Sequence, residues 1–514
     1  MKKSNEPTKT KKAMKTIKKF LSMAALALVG AVMTGCSNDD EIIETPQQPV
    51  NSQNVETLTT TVGFDEVAET RALTSGGVKT FAAGDQLALV YKNKSGQTVK
   101  TLSTALPSGS YSSSATFTFE LVNADKTKNV TYIYPASMAK NDGTVNYDAL
   151  ATQNGTLASL ASNLDCCTKS AAWDGTSLPT VTLDNQFAIC AFTIKNDDGS
   201  SDLTSTVTGM TIKQGSYTYT VSRSAAAGPI YVAMRPTSSA SISYTATVGS
   251  NKYTKSVTGK SYAAGKIYQL GLRMWPEGVL PGRFTINAYG GKVYFSKGNL
   301  KYTKSTSTWS FLEPQYTVVE QRDEWVGHNY SERDIVTLFG YGTSGYDNRL
   351  PYQTAENYLS TNYYAGGNLT GTNYDWGVYN TISNGGTGWR TLSKDEWNYL
   401  ANHTHGRSWV AGIHGWVIRP DGVTTAVASS YTAEAWVAEE AAGSLFLPGA
   451  RYRYSGTCYN IDAGGYYWSA TLYNSNEAYY FAFPNDKSTS TYINADYHRS
   501  IAIGQSVRLV KNVQ

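Results

Sequence analysis

His403-Thr404-His405 offers two imidazoles, with His414 nearby and Asp395, Glu396 and Asp421 as candidate carboxylates. Two histidines at i and i+2 share a face only in an extended segment, and neither the HExxH spacing nor a phosphate-binding glycine loop occurs. Solvated loop histidines explain them better than a metal site or an acid/base pair. Cys166, Cys167, Cys190 and Cys458 lack zinc-knuckle spacing, and adjacent Cys166 and Cys167 cannot easily pair with each other. Free buried thiols are expected, with a Cys190 bridge to one of that pair as the alternative. A cysteine is also needed in formylglycine chemistry, but Cys458 has no partner cysteine in its part of the chain. The expectation is a protein that is not an enzyme and uses no cofactor and no metal.

Cys36 points to chemistry of another kind. Lys11, Lys12, Lys15, Lys18 and Lys19 precede an apolar run from Phe20 to Val32, which closes on Met33-Thr34-Gly35-Cys36. The run is too short to span a bilayer and has the layout of a secretory signal. Met14 is an alternative start, because the lysines after it suffice for the charged region. The Met33–Cys36 stretch resembles a bacterial lipobox, which implies cleavage before Cys36 and its diacylation. Ser37-Asn38-Asp39-Asp40-Glu41 is similar to the acidic signal that sends some lipoproteins to the outer face of the outer membrane. Residues 1–35 are thus read as a signal peptide and 36–55 as an acidic tether. Residues 1–35 hold eight Lys and one Glu, so 44 basic residues fall to 36 and 40 acidic ones to 39. A net charge of −3 leaves no electrostatic case for nucleic-acid binding.

The elements that position these residues divide into two kinds. Ten of the eleven Trp lie at or after Trp275 and all five His after residue 327, so two modules of different composition are joined. The seam is placed at 275–282, Trp275-Pro276-Glu277-Gly278-Val279-Leu280-Pro281-Gly282, where two prolines and two glycines should break a strand or a helix. Before it, runs such as Leu58–Phe64, Leu87–Tyr91, Ala115–Leu121, Val130–Tyr134, Ala188–Ile194, Tyr217–Ser222, Pro229–Met234 and Ser241–Val248 read as strands of antiparallel sandwiches. Tyr147–Asn163 is the one plausible helix. Leu178-Pro179 through Asn185 divides the region into two sandwiches, 56–183 and 184–274.

Four stretches in that region carry a family likeness: Glu69-Thr70-Arg71-Ala72, Asn185 to Ile194, Pro229 to Pro236, and Tyr262 to Leu270. In order and spacing, residues 56–274 resemble the fimbrillins, two-sandwich pilus proteins of Gram-negative anaerobes. The resemblance implies that an arginine-directed protease cuts between Arg71 and Ala72, removes the first strand, and leaves a groove for a strand from a neighbouring subunit. The alternative is an uncut loop in a protein that stays anchored through Cys36.

Residues 283–514 read as an α+β module. Phe284–Ala288, Lys292–Phe295 and Leu300–Tyr302 form an opening hairpin region. Ser393 caps a helix through Leu400 with Glu396 completing a capping box, and a second helix from Thr432 to Ala442 stops at Gly443. Ser444–Leu447, Tyr466–Ala470, Ala478–Pro484 and Ser506–Val510 are strands. Gly388 to Ser393, Glu396-Trp397, Gly465 to Thr471, Glu477 to Phe483 and Gly504 to Val510 resemble the C-type-lectin-like domains that end many surface lipoproteins. Calcium sites of true lectins use paired carboxylates and amides, to which Pro484-Asn485-Asp486 is the nearest approach, and a turn explains it more simply.

Trp389, Trp397 and Trp468 lie in the matched motifs and are expected in the core. Trp376, Trp409, Tyr452, Tyr454, Tyr459 and Tyr497 sit in Gly- and Asn-rich stretches and are the candidate ligand-contacting rings. The expected whole is mainly β: two fimbrillin-like (transthyretin-like) sandwiches followed by a C-type-lectin-like α+β domain. The resemblances imply a cell-surface fimbrial tip adhesin. Its partners would be other fimbrial subunits, a host or microbial glycan or protein ligand, and the outer membrane through the lipid before processing. A non-polymerising surface glycan-binding lipoprotein is the alternative, and an enzyme of lectin-like fold the remote one.

Overall fold

The computed structural model describes residues 54–64, 79–319, 330–354, 362–459, 464–485, 487–488 and 493–513. Strands take 46% of the structure and helices 11%, so the fold is mainly β, as the alternating runs predict. Alternation works as expected in the opening strand Val55–Phe64, where Thr60, Val62 and Phe64 are buried while Thr57, Thr59 and Thr61 face outward.

Seven strands form the first sheet, in the order Thr98–Leu102, Ala88–Lys92, Val130–Tyr134, Cys167–Ala171, Val181–Asn185, Val55–Phe64, Ser114–Val122. Thr104 N donates to Thr118 O at 2.9 Å and Thr101 Oγ1 to Glu120 O at 3.1 Å, which draws the two outer strands together. The sheet therefore folds over a single core containing Phe64, Phe81, Phe117, Phe119 and Tyr132. A second sheet of eight strands runs from Ile230–Met234 to Thr152–Gln153. The Gln153 side chain joins its two ends, donating to Ala233 O at 2.8 Å and accepting from Ala233 N at 2.9 Å.

Three expectations need correction. Tyr147–Asn163 is not one helix: a turn at Tyr147–Ala151, the strand Thr152–Gln153, and short helical turns at Leu157–Ser159 and Leu160–Leu164 replace it. Gly155, with φ at 74°, breaks the run, and Asn154 Oδ1 accepts from Thr156 N instead of leaving the backbone to a helix. The division at 183/184 also shifts, because Val181–Asn185 pairs in the first sheet to Asn185 while Leu150, Leu160 and Leu164 pack in the second core. Adjacent Cys166 and Cys167 sit across that division, Cys166 in the second core and Cys167 in the first. Successive side chains of an extended segment point to opposite faces, which explains the pair without any bridge. Both are free thiols, as is buried Cys190.

The third correction concerns the seam. The strand Ile267–Pro276 runs through Trp275 and Pro276, and Pro276 pairs opposite Tyr253. A proline at a strand end removes no ladder bond that the chain would otherwise make. Beyond it, Leu280 N donates to Phe295 O at 2.8 Å and Lys297 N to Gly278 O at 3.0 Å, and Leu280 is buried in the core of the next module. A Cβ on Gly282 would meet Gly443 O at 2.6 Å, so this glycine serves close backbone approach. Arg283 then pairs with Asp197 at 2.7 Å and Asp198 at 3.0 Å of the second sandwich.

Past residue 283 the strands are short and gathered in several small sheets. Lys292–Phe295 pairs with both Phe284–Thr285 and the closing strand Leu509–Asn512. Leu300–Thr303 pairs with Thr308–Phe311 instead of joining the opening hairpin. The helix Lys394–Tyr399 carries both bonds of the predicted capping box, and Ala433–Ala441 is capped by Thr432 and ends before Gly443, whose φ is 90°. Trp376, Trp389, Trp397, Trp416, Trp436 and Trp468 are fully buried in this module, Trp397 and Trp436 on those two helices.

Candidate functional site

Two features combine accessible geometry with specific side chains: the first strand in its groove, and a face of tyrosines. Cys36, Arg71 and Ala72 lie outside the described residues.

Val55–Phe64 pairs antiparallel with Ser114–Val122 from Val55↔Val122 to Gly63↔Ser114, and parallel with Val181–Asn185 from Val62↔Val181 to Phe64↔Leu183. Main-chain bonds on both edges hold it, so its loss would leave two strand edges open to another strand. Side chains hold its ends. At the start, Lys126 Nζ lies 2.6 Å from Glu56 Oε2, donates to Thr176 O at 3.1 Å, and sits over the Trp173 ring. At the close, the Phe64 ring stacks on Phe81 with centroids 4.2 Å apart and meets Tyr134 edge-on at 5.3 Å. Lys79 Nζ lies 4.3 Å from the Phe64 centroid, 2.7 Å from Asp165 Oδ2 and 3.2 Å from Cys167 Sγ. Burial works against that ammonium, but the Asp165 carboxylate and the hydrogen bond to Cys167 Sγ hold its pKa above the ordinary lysine value. Burial also pushes the Cys167 thiol up to about 12, so the sulfur is a neutral neighbour that donates to Asn185 Oδ1 at 2.9 Å. Between the ends, Thr60 Oγ1 donates to Pro179 O at 2.7 Å.

The second feature is on the three-stranded sheet Gly465–Asn474, Glu477–Phe483, Asn494–Ser500. Tyr480 faces Tyr497 across the ladder, with stacked rings 5.9 Å apart, and Tyr466 lies 6.0 Å from Tyr480. The hairpin Tyr452–Tyr454 and Thr457–Tyr459 extends the row: Tyr452 meets Tyr466 edge-on at 5.5 Å and stacks with Tyr459 at 5.9 Å, and Tyr454 lies 6.4 Å from Tyr459. Arg499 Cζ sits 4.4, 5.1 and 5.2 Å from the centroids of Tyr452, Tyr466 and Tyr480. One guanidinium thus braces three rings, a contact worth about 0.5–2 kcal/mol per pair. Tyr454, Tyr459 and Tyr497 are 43%, 42% and 51% exposed, so ring surface with polar tips faces solvent.

Of the six rings expected to contact a ligand, this row unites Tyr452, Tyr454, Tyr459 and Tyr497. Trp409 is 40% exposed but stands apart on the strand His405–Val410, edge-on to His414 at 5.3 Å. Trp376 must be removed from the set: its ring is fully buried, and a buried ring offers no stacking face. The Gly- and Asn-rich context that suggested a loop is a helical turn Trp376–Tyr379, capped by Asp375, which turns the indole inward. Sequence reasoning missed Arg499, Tyr466 and Tyr480 as members of the row; only the register of three strands and a separate hairpin brings them together.

The candidate histidines serve the fold. Both ring nitrogens of His403 contact backbone carbonyls, Thr285 O at 2.8 Å and Arg419 O at 3.1 Å, and His405 Nδ1 accepts from Trp416 Nε1 at 3.1 Å. Among the described residues no group of three or more His, Cys, Asp or Glu side chains could hold a metal ion. A cleft of about 500 Å³ lies between the second sandwich and the C-terminal module. Its Lys511 is engaged, donating to Gly385 O at 2.8 Å and lying over Trp389.

No protein-family model matches the chain, and no curated protein matches it. Solved structures similar to it include a fimbrial assembly protein from Parabacteroides distasonis, 8% identical, covering 50% of this chain and 98% of its own, with a TM-score of 0.26. A candidate cell adhesion protein from Bacteroides uniformis is 14% identical over 44% of this chain and 94% of its own, with a TM-score of 0.23. A streptococcal ancillary pilin is 12% identical over 52% of this chain and 81% of its own, with a TM-score of 0.17. Likeness at these scores carries no argument by itself.

Proposed function

We propose that this chain is a cell-surface pilus subunit, placed at the fibre tip, that assembles by strand exchange and binds its ligand through residues 283–514. The observation that carries the reading is the first strand. It alternates, and it pairs on both edges with strands that would be left open by its removal. Arg71 follows it in sequence, so one cut at Arg71–Ala72 would separate strand and Cys36 lipid from the rest.

The ligand-binding part rests on the tyrosine row. Rings with polar tips, braced by an arginine, suit the apolar faces and hydroxyls of a saccharide. The two capped helices and the pairing of the module's early and final strands support the lectin-like reading of residues 283–514. A second reading, an anchored surface glycan-binding lipoprotein that does not polymerise, is favoured by the clamps on Glu56 and Phe64, which hold the first strand in place.

The deciding measurement is the N-terminus of the protein in sheared surface fibres. A start at Ala72 is the expected result. Only a diacylated Cys36 form on cells, with none in fibres, would sink the pilus reading and leave the anchored one.

A further inference from the structure

The strand-exchange reading leaves open what kind of strand the groove accepts. We infer that the groove selects an incoming strand of a neighbouring subunit by direction and register, requiring an acidic residue near its start and an aromatic residue eight positions later, with small or β-branched side chains inward between them. This inference rests on the strand-exchange reading and adds a partner specificity to it.

The argument comes from what remains when Val55–Phe64 is taken away. Lys126 stays at one end, held by Thr176 O and lying against Trp173, with its carboxylate partner gone. Lys79 stays at the other, fixed by Asp165 and Cys167 beside an empty slot walled by Phe81 and Tyr134. An ammonium held at a ring face favours an aromatic over an aliphatic side chain, since only the ring presents a negative face. The two cations therefore ask for different partners, an ion at one end and a ring at the other. Along a strand the two sites are about 26 Å apart, eight residues at roughly 3.3 Å each. A strand entering in reverse would set its ring against Lys126 and its acid in the Phe81–Tyr134 slot. Shifting by one residue would turn every inward side chain outward.

The middle of the groove is less selective in charge but strict in size. Val62 is fully buried, and Thr60 fits beneath Pro179 O, which also accepts from Tyr132 OH at 3.1 Å. A long side chain at either place would collide with the core.

The test uses the full chain with a protease site built into residues 65–78. Once cut, the first strand is held only by non-covalent contacts, and labelled ten-residue peptides compete for its place. A peptide of the native Val55–Phe64 sequence should exchange in and preserve the melting transition. The Phe64→Ala peptide should bind about 100-fold more weakly, the Glu56→Lys peptide roughly 3- to 10-fold more weakly, and the reversed sequence no better than Phe64→Ala. Equal exchange by the native, Phe64→Ala and reversed peptides would overturn the inference while leaving strand exchange standing. Failure of every peptide, the native one included, would overturn strand exchange itself. A second measurement needs no cut: in the uncut chain, Phe64→Leu should lower the melting temperature less when Lys79→Met is also present. Strict additivity of the two substitutions would overturn the aromatic requirement.

Discussion

Where Val55–Phe64 meets Ser114–Val122, nine residue pairs face each other through a main-chain ladder that any extended sequence can make. Where Arg508 meets the C-terminal module, its buried guanidinium reaches Gln315 Oε1 at 2.7 Å and Asn299 Oδ1 at 3.3 Å, contacts that only this side chain supplies. Burial pulls the Arg508 pKa down to about 10 without removing its charge at neutral pH. Asp375, also fully buried, accepts from Gly377 N, Thr391 N and Thr391 Oγ1. The ladder of the first strand is thus made of bonds that other strands share, and this part of the C-terminal module of contacts from particular side chains. On the strand-exchange proposal, a strand that is traded needs the first kind of bonding, and a surface that is presented to a ligand needs the second.

The contrast breaks most visibly at the largest buried rings. Trp397 is fully buried and stacks on Phe481 at 4.6 Å. Trp397→Ala should cost about 3–5 kcal/mol, seen in calorimetry as a lower transition for the C-terminal module, with the sandwich transition unmoved. A joint fall of both transitions would mean that the two regions do not differ in the way argued.

Next in size is a pH effect that the sandwiches should lack. Burial raises the Asp375 pKa to about 6, against roughly 3.9 in an unfolded chain. The folded state therefore binds this proton more tightly, so stability is greatest below about pH 4, falls as pH rises to about 6, and is level above. The expected loss is on the order of 3 kcal/mol. Asp375→Asn should flatten that slope in melts of the C-terminal module between pH 4 and 7, and an unchanged slope would assign it to other groups.

Ser393→Ala removes the capping contact to Glu396 N at 3.2 Å and should cost about 1 kcal/mol. The smallest effect on stability, and the one that sharpens the contrast most, belongs to the exposed tyrosines. Tyr459→Ala and Tyr497→Ala should each change stability by no more than about 0.5 kcal/mol, yet reduce binding in a glycan array or a cell-adhesion assay. Trp409→Ala should leave both nearly intact, since that ring lies outside the row.

Legibility in the sequence followed the same contrast. Ser114–Val122 alternates along its whole length and was readable, as were the capping residues Ser393 and Glu396. Asn251–Tyr262 was not, because most of its side chains are exposed and its lysines and serines mask the period. Ile267–Pro276 was cut short by reading its proline as a break. In the C-terminal module the ring types are visible but not their side: the sequence around Trp376 does not reveal which way the four-residue capped turn Trp376–Tyr379 rolls. Arg499 carried no local signal at all, since its three rings come from strands and a hairpin spread over residues 452 to 480.

The strand Ile267–Pro276 is where the C-terminal module joins the second sandwich. It lies parallel to Ala188–Asn196 over eight residue pairs, from Ile267↔Ile189 to Met274↔Asn196. Tension drawn through the C-terminal module travels along that strand's own axis. The ladder is then loaded in shear, its bonds sharing the force together, whereas a strand pulled sideways surrenders its bonds one after another. With Leu280 and Gly282 packed directly beyond it, no slack length of chain stands between the load and the ladder. A tug on the tyrosine row is thereby carried into the sandwich by a stiff, short mechanical link.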